Sequence, residues 1–115
     1  MLDLALTYKF SNAPAPSQLE NALMELLTAL SETGSIAGAA THLNRSYRHV
    51  WGQLKYWEST LNARLVVWGR RSGGAGLTPE AVEFLRAMQK SEKALASNVK
   101  AIKRELLKNT SLLHK

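Results

Sequence analysis

The sequence predicts a mainly α-helical domain with a small β wing, preceded by a strand and followed by one long helix. Three observations predict this. Short apolar stripes at helical spacing, bounded by capping residues and left-handed stops, fill the first half. A β-prone run, Leu65-Val66-Val67-Trp68, leads into a glycine-rich turn, Gly69 to Gly76, and then Leu77. An apolar series at alternating spacings of three and four then runs from Leu85 to Leu106.

At the start, Leu2, Leu4, Leu6, Tyr8 and Phe10 alternate with Asp3, Ala5, Thr7 and Lys9. Period two predicts a half-buried strand. Ser11 to Pro16 is a connector. Ser17 and Glu20 have capping-box spacing, and Leu19, Leu23, Leu26, Leu27 and Leu30 form one stripe. Together they predict a helix over about 17–33, stopped by Gly34, which takes the left-handed position without strain.

Ser35 can cap a second helix, Ile36 to Leu43. Its Gly38, Ala39 and Ala40 are small, so another helix can cross closely. Asn44 tolerates left-handed backbone and ends it. Ser46 caps a third helix over about 47–62, in which Val50, Leu54, Trp57 and Leu61 face the core. Thr78-Pro79-Glu80 combines a hydroxyl cap, a first-turn proline and an acid at the positive dipole end. The last helix should therefore start at Pro79 and reach roughly Asn109. The expected organisation is a domain over 1–78 and a helix over 79–115 that packs on the core and dimerises.

The chain has 115 residues and is 45% apolar, enough for one small core. It has no cysteine, so disulfide and thiolate chemistry are excluded. No apolar run is long enough to cross a bilayer, and Met1 to Phe10 lacks the pattern of a signal peptide. A cytoplasmic protein is the expectation.

The formal net charge is +6. Thr33 to Pro79 holds six cations (Arg45, Arg48, Lys55, Arg64, Arg70, Arg71) against one acid, Glu58, and so carries +5 of it. Charge placed on one unit in this way is the footprint of a duplex-DNA reader.

The spacing within that unit sharpens the expectation. Ala40 is small at the crossing, Asn44 makes the turn, and Val50 returns to the core; this is what a helix–turn–helix requires. The second helix of such a pair lies in the major groove. With Val50, Leu54 and Trp57 inward, the outward set is Tyr47, Arg48, Gly52, Gln53 and Lys55, with His49 and Trp51 at the margins. Gly52 costs helix propensity but leaves room for close approach.

Gly34-Ser35-Ile36-Ala37-Gly38-Ala39-Ala40-Thr41-His42-Leu43, followed by Ser46-Tyr47-Arg48-His49-Val50-Trp51, resembles the winged helix–turn–helix of molybdate-responsive ModE-type regulators. Ser72-Gly73-Gly74-Ala75-Gly76-Leu77-Thr78 resembles that family's wing, and the leading strand also fits. The wider LysR-type family shares the pattern through the helix–turn–helix and the Leu77-Thr78-Pro79 helix start. The resemblance covers about residues 2–107.

It implies base and phosphate contacts from Ser46, Tyr47, Arg48 and Gln53, with Arg70, Arg71 and Ser72 on the wing. Arg45, His49 and Lys55 complete the expected DNA-binding set. Arg45 stands where such turns usually carry an apolar residue. Arg48 and Gln53 have two open roles, bidentate base reading or phosphate contact. Arg70 and Arg71 could enter a minor groove or straddle the backbone. The effector domain that follows in these families has no counterpart here, so no small-molecule effector is expected.

No enzymatic constellation is present: there is no nucleophile elbow or paired-carboxylate site, and Gly73-Gly74-x-Gly76 lacks the lysine of a phosphate loop. His42, His49 and His114 lack metal-site spacing. No cofactor or metal is expected.

Leu85, Met88, Glu92, Leu95, Val99, Ile102 and Leu106 follow an a/d series. Leu95, Val99, Ile102 and Leu106 are the expected seam of a homodimer. The expected function is sequence-specific binding of double-stranded DNA by a bacterial-type transcriptional regulator. The alternative is a protein-interaction or dimerisation adaptor that keeps the scaffold without binding DNA.

Overall fold

The computed structural model describes residues 3–6, 21–69 and 74–109. Helix α1 spans Ala22–Thr33. Asn21 caps it in an extended conformation, its side chain accepting from the Met24 amide at 3.1 Å. The helix thus starts five residues later than the expected 17, and its cap is Asn21 rather than Ser17. Ser17 and Glu20 lie outside the described residues. An Asx cap at this entry point satisfies a free amide of the first turn.

Leu23, Leu26, Leu27 and Leu30 of α1 are all buried. Gly34 ends the helix at φ 71°, and its amide bonds the Leu30 carbonyl at 2.9 Å. Helix α2 is Ile36–Leu43, capped by Ser35 through Gly38 N–H at 2.9 Å. Ala39 and Ala40 are buried where α2 meets its neighbours.

Asn44 adopts φ 55°. Its amide reaches the Thr41 carbonyl at 3.2 Å, and the Arg45 amide reaches the Ala40 carbonyl at 2.9 Å. These paired bonds are a Schellman stop. Arg45 closes the turn with its main chain alone, so its side chain is free to stay in solvent, as its exposure shows. That is how a cation occupies a customarily apolar position.

Helix α3 spans Tyr47–Leu61, with Ser46 accepting from His49 N–H at 3.0 Å. Val50 and Leu54 are buried in the core. Asn62, at φ 51°, repeats the stop, with Ala63 N–H on the Glu58 carbonyl at 3.1 Å.

Strands β1 (Val66–Trp68) and β2 (Ala75–Leu77) pair antiparallel, Val66 opposite Leu77 and Trp68 opposite Ala75. Gly69 N–H extends the ladder to the Gly74 carbonyl at 2.9 Å. The hairpin is anchored to the turn between α1 and α2: Ser35 bridges Gly74, and Ala75 N–H donates to the Gly34 carbonyl at 2.8 Å. Gly34 thus both ends α1 and receives the wing.

Helix α4 spans Pro79–Asn109. Thr78 Oγ1 accepts from Ala81 N–H at 3.1 Å and donates to the Arg64 carbonyl at 2.9 Å. One residue therefore caps α4 and closes the hairpin's base. The chain forms two compact units, Met1–Leu85 and Arg86–Lys115. Ala81 and Leu85, in the first turns of α4, are buried in the first unit.

The expected leading strand is corrected where it is described. Residues 3–6 form no strand and are exposed, Leu4 at 94% and Leu6 at 65%. Alternation marks a strand only where a sheet edge is there to receive it. The remainder of that stretch, and the connector after it, lie outside the described residues.

Candidate nucleic-acid interface

Helices advance about 100° per residue, so Arg48, Gly52 and Lys55 share the α3 face opposite Val50 and Leu54. That face is open. Tyr47 is 54% exposed, and Arg48, His49, Gly52 and Lys55 are all exposed. The turn before α3 adds Arg45 and Ser46, also exposed. Five of the expected residues, Arg45 to His49, thus form one continuous surface at the N-terminal end of α3. Tyr47, Arg48 and Trp51 line a shallow depression on it.

Three expected positions behave differently. Gln53 is only partly exposed, because it immediately precedes Leu54 and flanks the core stripe. Lys55 is occupied: its Nζ lies 3.5 Å from Glu58 Oε1 and 4.5 Å from the Trp51 ring centroid. Trp57, expected inward, is half-buried, with its Nε1 enclosed and unpaired.

Sequence reasoning counted Glu58 only as the one acid in a basic stretch. The structure shows its job: Oε2 accepts from Leu65 N–H at 2.9 Å, tying the end of α3 to the start of the hairpin. Only the fold brings these residues together, seven positions apart across the Asn62 turn.

Trp51 packs on Trp68 of β1, centroids 5.4 Å apart and planes at 38°. This contact sets the turn end of β1 against the flank of α3. Neither tryptophan is buried; Trp51 is 37% and Trp68 42% exposed. Arg70, Arg71 and Ser72 belong to the connection between Gly69 and Gly74 and lie outside the described residues.

In the second unit, Val99 is 51% and Ile102 53% exposed, while Leu95 and Leu106 are partly covered. No group of three or more potential metal ligands occurs among the described residues. Among them, too, no helix is long and apolar enough to cross a membrane.

A helix–turn–helix whose hairpin is stitched to its first turn is a winged helix–turn–helix. The profile of bacterial regulatory helix-turn-helix proteins of the lysR family matches residues 22–82. The chain belongs to the LysR family of regulatory helix-turn-helix proteins. Such a unit is the DNA-binding domain of a transcriptional regulator.

The molybdenum transport protein ModE of Herbaspirillum seropedicae is 38% identical over 71 residues, 59% of this chain and 26% of that protein. The chain therefore spans about a quarter of that relative. CbnR, a LysR family transcriptional regulator, is 26% identical with a TM-score of 0.58, over 75% of this chain and 29% of that one. The CbnR DBD in its complex with DNA is 25% identical at the same TM-score, over 76% of this chain and 97% of that one.

Proposed function

We propose that this chain binds double-stranded DNA with α3 in the major groove and the hairpin beside it. The carrying observation is the continuous exposed surface from Arg45 to Arg48, at the N-terminal end of a helix whose opposite face is buried. Residues there are the ones a helix–turn–helix brings to base edges. Arg48 reads a base, since its exposed guanidinium can make two parallel bonds to guanine. Tyr47, Ser46 and Arg45 contact phosphate, with Ser46 already engaged as the cap. His49 lies at the margin.

Gln53 and Lys55 contribute less than their residue types suggest. Arg70, Arg71 and Ser72 meet the backbone or the minor groove next to the α3 site, and the Trp51–Trp68 contact supports that placement of the wing. Two copies pair through α4 at Leu95, Val99, Ile102 and Leu106, which presents two α3 helices to an inverted repeat. The protein acts in the cytoplasm.

Selection of bound sequences from random duplex DNA tests this reading. The expected product is an inverted repeat with half-sites one helical turn, about 34 Å, or a multiple apart. Absence of retardation of any duplex at low salt would sink it. The adaptor reading would then stand, since two β-branched residues of α4 present half their surface to solvent. That reading requires a stable protein complex in the absence of DNA binding.

A further inference from the structure

Three glycines lie in the helix–turn–helix or the turn that leads into it, and the protein itself needs two of them. Gly34 sits at φ 71°, where a side chain is strained. At Gly38 a Cβ would lie 2.8 Å from both Ser35 Oγ and Thr33 Cβ, disrupting the cap of α2.

Gly52 meets neither demand. Its φ is outside the left-handed region, and a Cβ built there finds nothing within 4 Å. It occupies the interior of α3, where glycine costs about 1 kcal/mol relative to alanine. Alanine would fit the free protein and strengthen the helix. The position also lies at the centre of the outward face, one turn after Arg48 and opposite the core.

We infer that Gly52 is a close-contact position, where the duplex comes into van der Waals contact with the α3 main chain and leaves no room for a methyl group. This deepens the DNA-binding reading and rests on it. The absence of a side chain lets α3 settle deeper, so that Arg48 one turn earlier can reach a base edge. A lysine or glutamine here would be an ordinary helix-surface choice; it would also hold the helix away from the groove.

The test is to compare the parent with Gly52→Ala and Gly52→Gln by thermal unfolding and by affinity for the duplex that the parent selects. Gly52→Ala should raise Tm by about 3–6 °C. It should also weaken binding by roughly tenfold, the scale of a methyl forced into a filled contact, and Gly52→Gln should weaken it further. Affinity of Gly52→Ala within about twofold of the parent overturns the inference, as does a lowered Tm, which would show that the fold itself needs the glycine. A parent that binds no duplex sinks the DNA-binding reading and this inference with it, a pattern distinct from a binding parent matched by its variants.

Discussion

Arg48 and Lys55 are both cations on the same face of α3, yet their surroundings differ. Arg48 is exposed with no acidic partner among the ion pairs of the described residues, whereas Lys55 is shared between Glu58 and the Trp51 ring. Freeing Lys55 for phosphate would sacrifice both contacts. Arg48→Ala should therefore lower discrimination between selected and scrambled duplexes by about 1–3 kcal/mol, read from competition binding. Lys55→Ala should change the salt dependence by less than one full phosphate contact, roughly 0.9 in the log–log slope. Arg71→Ala, by contrast, should weaken matched and scrambled duplexes evenly. Glu58 is the structural counterpart of these cations. Glu58→Ala leaves the Leu65 amide without its acceptor and should cost about 1–3 kcal/mol in urea unfolding.

At the scale of elements, α3 and the hairpin are held by few contacts, so each one matters. Ser46 starts α3 and lies beside Tyr47 and Arg48. Ser46→Ala should destabilise the domain by about 1 kcal/mol and weaken DNA binding by more than that, because the frayed turn carries the contact residues. Ser46→Asp, which restores a cap but adds a negative charge, should recover stability and not affinity. Thr78 performs two tasks at once, and Thr78→Ala should loosen the start of α4 together with the base of the hairpin, visible as faster amide exchange at Ala81 and Leu65.

For the whole molecule, the questions are charge and assembly. Six cations lie between Thr33 and Pro79. With Arg48 on a base and Lys55 held by Glu58 and Trp51, each of the others that engages a phosphate should lower affinity by roughly 0.9 log unit for each log unit of salt. A slope near zero would count against an electrostatic interface. The proposed assembly rests on α4. Analytical ultracentrifugation at micromolar concentration should give a dimer, and Val99→Glu with Ile102→Glu should give a monomer of unchanged helicity. A parent that sediments only as monomer would remove the two-fold arrangement and with it the expectation of an inverted repeat.

The local rules were legible in the sequence because they act within a few residues. Asn44, Ser35, Ser46 and Thr78 stop or start helices in the manner their side chains dictate, and the stripe of Val50 and Leu54 declares which face of α3 is buried. The family pattern through the helix–turn–helix was legible for the same reason. What the tertiary structure alone decided involves partners distant in sequence or the absence of one. Leu4 and Leu6 alternate as a strand would, but residues 3–6 pair with no sheet. Lys55 looks like a phosphate ligand until Glu58 and Trp51 are placed around it, and Gly34 looks like a simple stop until Ala75 arrives to bond it. A helix cap is settled by the chain's own neighbours; whether a charge or a strand edge is free depends on what folding brings beside it.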